Sequence, residues 1–63
     1  MRLIIVSGLS GSGKTVALHH FEDLGFYCID NMPAALLATL IGEITATQDP
    51  LYANLAIGID ARN

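Results

Sequence analysis

The chain has 63 residues, 52% of them apolar, with three basic residues against six acidic ones and a formal net charge of −3. A chain of this size holds one domain at most and buries only about 60% of its unfolded surface. The scarcity of Lys and Arg argues against recognition of a nucleic-acid backbone by this stretch, and no run reaches the roughly 20 continuous apolar residues that span a bilayer.

Met1 to Val6 is too short an apolar run for a secretory signal, which needs about 7–15 such residues. The single cysteine, Cys28, excludes an internal disulfide framework and fits a reducing compartment, so a cytoplasmic location is expected. Leu3-Ile4-Ile5-Val6 predicts a first strand over about Arg2 to Ser7. Its apolar residues run continuously instead of alternating, which suits a central parallel strand covered on both faces.

Gly8-Leu9-Ser10-Gly11-Ser12-Gly13-Lys14-Thr15 follows, with the Walker A spacing of glycine, four residues, glycine, lysine and a hydroxyl residue. At ordinary residue frequencies a chain of this length meets that pattern by chance about twice in a thousand, so accident is a weak rival. The spacing has a physical reason. A loop that wraps phosphate oxygens turns consecutive N–H groups inward, and side chains at Gly8, Gly11 and Gly13 would block the approach. A helix opening directly after the loop adds the positive end of its dipole. Lys14 then serves as the charge on the β- and γ-phosphates, and the Thr15 hydroxyl as a ligand for the Mg²⁺ that bridges them.

After Lys14, Ala17, Phe21 and Leu24 with Leu18 form the apolar face of the helix. Gly25 is the expected left-handed residue that ends it. Phe26-Tyr27-Cys28-Ile29 predicts a second strand terminating at Asp30-Asn31. Pro33 then suits the first turn of a second helix over Ala34 to Ile44, with Asn31 as the better cap. Thr45 to Pro50 is a polar connector with a turn at Asp49-Pro50, and Leu55 to Ile59 predicts a third strand. The order β-α-β-α-β with a phosphate loop implies an α/β parallel-sheet P-loop NTPase fold. Only its N-terminal portion is expected within residues 1–63, the rest of the domain lying beyond. On that expectation Leu36, Leu37, Leu40 and Ile57 are candidates for an exposed apolar flank.

Two aspartates follow apolar strands. A Walker B acid stands at the carboxyl edge of the sheet and holds Mg²⁺, often through water. Asp60, after five residues of strand, is favoured for that metal and catalytic role. Asp30 is its rival, with a cap or turn as the ordinary alternative. His19 and His20 are expected to be solvated, Cys28 to be a small buried hydrophobe, and Tyr27 and Tyr52 to pack in the core.

With these residues laid out, the chain resembles the N-terminus of the RapZ family, also described as YvcJ-type nucleotide-binding proteins or RNase adapter proteins. Ile4-Ile5-Val6-Ser7-Gly8, Ser10 to Lys14, Val16-Ala17-Leu18, Glu22-Asp23, Gly25-Phe26-Tyr27-Cys28, Ile29-Asp30-Asn31, Pro33, Ile59-Asp60 and Arg62-Asn63 carry the likeness. The resemblance implies ATP at Gly8 to Thr15 and GTP at Asp60, Ala61, Arg62 and Asn63, with slow hydrolysis. Nothing spells the Asn-Lys-x-Asp pattern of guanine-reading GTPases, so the GTP segment comes from likeness alone. The family further implies an adapter that presents a small regulatory RNA of amino-sugar metabolism to a ribonuclease, with RNA contacts in a C-terminal region outside these residues. The intact protein is compatible with a homo-oligomer. The rival from another class is a P-loop small-molecule kinase, in which Asp30 would orient the acceptor hydroxyl.

Overall fold

Leu55, Ala56 and Ile57 are completely shielded from solvent, because strand β3 (Asn54–Ile59) lies in the middle of a three-stranded parallel sheet. Strand β1 (Arg2–Val6) flanks it on one side and β2 (Tyr27–Met32) on the other. The computed structural model describes residues 1–8 and 11–60. Leu3, Ile4 and Ile5 of β1 pair with Leu55, Ala56 and Ile57, and Tyr27, Cys28 and Ile29 of β2 pair with the same three residues.

Successive strand residues point to opposite faces, so this register sorts the core into two halves. Val6 and Ala56, with Ile4 and Cys28, meet helix α1 (Gly11–Asp23) through Leu18, Ala17 and Phe21. Leu55 and Ile57, with Ile29, meet helix α2 (Leu37–Thr47) through Ile44, Leu37 and Leu40. Ala56 and Gly58 are small residues on the α1 side, and they let that helix approach the sheet closely. The architecture is therefore the expected α/β one, β-α-β-α-β with all strands parallel.

Several local expectations change. The strand covered on both faces is β3, and β1 stands at an edge of the described sheet. Leu3 is 36% and Ile5 42% exposed, since α2 covers Leu55, Ile57 and Ile29 without reaching across to β1. Ile57, expected on an exposed flank, is instead fully buried. Leu37 and Leu40 are half-buried against α2's own side of the core, and Leu36 alone of the four is broadly exposed, at 54%. Leu24 falls beyond the last turn of α1 and is also exposed.

The second strand does not stop at Asp30. It continues to Met32 through an irregularity between Ile29 and Met32, where Asn31 takes a left-handed φ of 57°. Asn31 is thus in a strand and caps nothing. Ala34–Leu36 forms a 3₁₀ turn after Pro33, and α2 begins only at Leu37 and ends at Thr47, past the expected limit. Gln48 closes α2 with φ 53°, and its N–H donates to the Ile44 carbonyl. Gly25, with φ 92°, follows α1 as expected. Asp49 accepts from the Leu51 N–H at 2.9 Å and so caps a 3₁₀ turn over Pro50–Tyr52.

Burial of a side chain the size of isoleucine contributes about 1.5–3 kcal/mol, and its truncation leaves a cavity as well. Ile57→Ala in the full-length protein is expected to lower stability by about 2–5 kcal/mol in a denaturant titration. Leu36→Ala, at an exposed position, should stay within about 0.5 kcal/mol of the parent.

Candidate functional site

The carboxyl end of β1 leads through Ser7 into Gly8, whose φ of 76° lies in the region that side chains rarely adopt. Helix α1 opens at Gly11, so the last glycine, the lysine and the threonine of the loop motif belong to its first turns. A Cβ added at Gly8 or at Gly11 would meet nothing within 4 Å. Open space therefore surrounds both glycines, beside a helix start whose dipole favours an anion. These residues and their donor chemistry fit a phosphate chain. Leu9, Ser10, Ala61, Arg62 and Asn63 lie outside the described residues.

Lys14 sits on α1 with its side chain only 12% exposed, and its Nζ is 3.3 Å from Asp30 Oδ1. The same ammonium donates to Asn31 Oδ1 at 3.4 Å. Thus the end of β2 faces the loop lysine. The Thr15 hydroxyl donates to the Gly11 carbonyl at 3.0 Å, which spends its proton on the backbone and leaves oxygen lone pairs for a cation. Asp60 follows β3 directly, and its N–H donates to the Met32 carbonyl at 3.0 Å. Because Val6 pairs with Gly58, the chain leaving β3 toward Asp60 runs beside the chain leaving β1 toward the loop.

The two aspartates therefore occupy different places. Asp30 touches Lys14, and Asp60 stands at the end of the central strand. Asn31 and Gly58 were not singled out from the sequence as parts of the site. A glycine inside a strand is a signal for close approach of another group, and an asparagine after an aspartate is a signal for a left-handed residue. Both signals were present in Asp30-Asn31 and in Ile57-Gly58-Ile59.

A cavity of about 190 Å³ opens between α1 and β2, lined by Thr15, Leu18, His19, Glu22, Cys28 and Asp30. The Cys28 thiol within it donates to the Leu18 carbonyl at 3.3 Å. Burial, and secondarily the Glu22 carboxylate, push this thiol above its ordinary pKa, which makes it a poor nucleophile. His19 and His20 are exposed, as expected. Tyr27 and Tyr52 pack edge to face with ring centres 5.2 Å apart, although Tyr27 remains 39% exposed. A larger cavity, about 300 Å³, lies by Met1, Ile44, Gln48 and Tyr52. It is at the amino end of β1, away from the loop, and has no part in this site.

No group of three or more His, Cys, Asp or Glu among the described residues could hold a metal ion by itself. A cation at the loop would rely on ligands from the phosphates as well as from the protein, which is how Mg²⁺ is ordinarily held in such sites. No helix of the described residues is long and apolar enough to cross a membrane.

The chain is similar to known proteins along its whole length. A nucleotide-binding protein of Cellvibrio japonicus is 59% identical over all 63 residues, which make up 21% of its length. A nucleotide-binding protein of Methylococcus capsulatus is 56% identical over the whole chain and 21% of its own length. One from Thioalkalivibrio sulfidiphilus is 52% identical over the whole chain and 22% of its length. The chain thus spans about a fifth of the curated relatives it matches. No solved structure matches it. The family described as the RapZ-like N-terminal domain matches residues 1–63, every residue of the sequence, and the chain belongs to that family.

Proposed function

We propose that this chain forms the phosphate-binding part of a nucleotide site that takes Mg·ATP or Mg·GTP. One observation carries the reading: Lys14 stands in the first turn of α1, which follows a left-handed Gly8 in the chain, with open space around Gly8 and Gly11. The names of the relatives, which are nucleotide-binding proteins, support it.

In this reading the N–H groups of Gly8, Leu9, Ser10, Gly11, Ser12 and Gly13 line the triphosphate, and Lys14 neutralises its β- and γ-oxygens. Thr15 and Asp60 are the protein groups that would hold Mg²⁺, Asp60 through water. Mg²⁺ supplies charge neutralisation of the phosphate oxygens when bound. Asp60 suits the role because it leaves the central strand next to the loop. Asp60, Ala61, Arg62 and Asn63 are carried as a GTP segment by family resemblance.

Hydrolysis in this scheme is slow. Lys14 and Asp60 carry the catalytic roles in it, and neither a general base nor an arginine finger is assigned among these residues. In the intact protein, nucleotide occupancy then biases the conformation of an RNase adapter that presents a small regulatory RNA to a ribonuclease. The net charge of −3 supports leaving the RNA contacts to other parts of that protein. A cytoplasmic location goes with that role. If the protein were a small-molecule kinase, the full-length form given Mg·ATP and a metabolite panel would yield phosphorylated product. Free phosphate alone is expected.

Lys14→Ala in the full-length protein is expected to weaken Mg·nucleotide binding at least tenfold, about 1.4 kcal/mol, in titration calorimetry. Unchanged affinity would remove the lysine from the site. Asp60→Asn should flatten the Mg²⁺ dependence of binding more than Asp30→Asn does, and the reverse ranking would transfer the metal role to Asp30.

A further inference from the structure

Gly58 is buried in β3 on the face turned toward α1. A Cβ placed there would stand 2.6 Å from Asp30 Oδ1, 3.0 Å from Leu18 Cδ1 and 3.3 Å from Lys14 Cδ. Carbon atoms in favourable contact sit about 3.5–4.0 Å apart, so even the smallest side chain would force its neighbours to move. Gly58 is not among the residues of positive φ. The demand for glycine at this position is therefore one of space, not of backbone conformation.

The atom that such a side chain would strike first is the one that organises the end of β2. Asp30 Oδ1 accepts the Asn31 N–H at 2.7 Å and pairs with Lys14 Nζ at 3.3 Å. Its carboxylate hangs on a short side chain whose backbone is fixed by the strand irregularity and by the left-handed Asn31. The side chain is 40% exposed, so it can yield to a group at position 58, but only by drawing Oδ1 away from Lys14 Nζ and the Asn31 N–H. Lys14 is held from two sides, by its stem against the Gly58 position and by its ammonium against Asp30 and Asn31.

We propose that Gly58 is a positioning residue of the phosphate site: the space left by its missing side chain seats the Asp30 carboxylate, and through Asp30 it fixes where the Lys14 ammonium stands. The inference rests on the nucleotide reading of Lys14 and adds to it a residue from the central strand that never touches the ligand. It also gives Asp30 a role distinct from that of a metal acid, since it orients the lysine from behind. A displacement of about 1 Å in a positioned group is enough to cost much of its contribution.

The test is a double-mutant cycle in the full-length protein, using Gly58→Ala, Asp30→Ala and the pair. Mg·ATP affinity is read by titration calorimetry, and melting temperature is read in parallel without nucleotide. Gly58→Ala is expected to raise Kd about tenfold where Asp30 is present and less than threefold where Asp30 is alanine, because the closest of the three contacts, the one to Asp30 Oδ1, is then gone and the two left are to the end and the stem of flexible side chains. An unchanged Kd for Gly58→Ala, or an equal loss in both backgrounds, overturns the proposal. If Gly58→Ala fails to fold, relief of its closest contact requires the double variant to recover a folded state with a measurable melting transition. A double variant that stays unfolded overturns it as well. Should the parent protein bind no nucleotide, the function proposed above fails, and the melting-temperature cycle still decides whether residue 58 acts through Asp30.

Discussion

The structure depends on the double-sided burial of one short strand. Leu55, Ala56 and Ile57 have no exposed surface, and each of the four other regular elements touches them from a different direction. Parallel strands are not joined by tight hairpins. Each return to the same sheet edge requires a crossover, which here is a helix each time. The first crossover places α1 on one face and the second places α2 on the other. β3 then enters between β1 and β2, not beside either alone. Both of its pairings are parallel, and that brings the carboxyl ends of all three strands to one side of the sheet. Open α/β sheets bind their ligands at the carboxyl ends of the strands.

From this arrangement follows a division of labour between the two faces. On the α2 face large aliphatic groups from both layers fill the space, with Ile44 set against Leu55 and Ile57. On the α1 face the strand offers Ala56 and then Gly58, and the helix comes close enough for the stem of Lys14 to lie over the sheet. The lysine is consequently screened along its length while its charged head reaches the end of β2. The tightness of helix packing and the placement of a charge at the loop are thus one property, set by small side chains in the middle strand.

Much of this was legible in the amino-acid order. Gly8 to Thr15 and the apolar runs around it specify strand, loop and helix, because only a few backbone paths satisfy both the glycine spacing and the hydrophobic period. Gly25 likewise marks the end of α1. What was not legible was the lateral order of the strands. Leu3-Ile4-Ile5-Val6 and Leu55 to Ile59 are equally apolar, and a continuous run does not say which strand is central. That is decided by which helix covers which face. The Asp30-Asn31 pair misled for a local reason, since two turn-forming residues end a strand in most settings, whereas here a left-handed Asn31 lets β2 bulge and resume. Ile57 was mistaken for surface because its neighbour in space, Ile44, is thirteen positions away along the chain. At the site, the role of Lys14 could be read from its motif, but its partners Asp30 and Asn31 lie on another strand and are joined to it only by folding.

The position of β1 carries a consequence for handling the molecule. Its outer side presents backbone N–H and C=O groups with no strand next to it among the described residues, and Leu3 and Ile5 show apolar surface along the same margin. Such a margin is a template for whatever extended polypeptide meets it. In concentrated preparations of residues 1–63, strand addition at this rim would join copies edge to edge, and a lysine or proline placed on the rim would be the means to keep them apart.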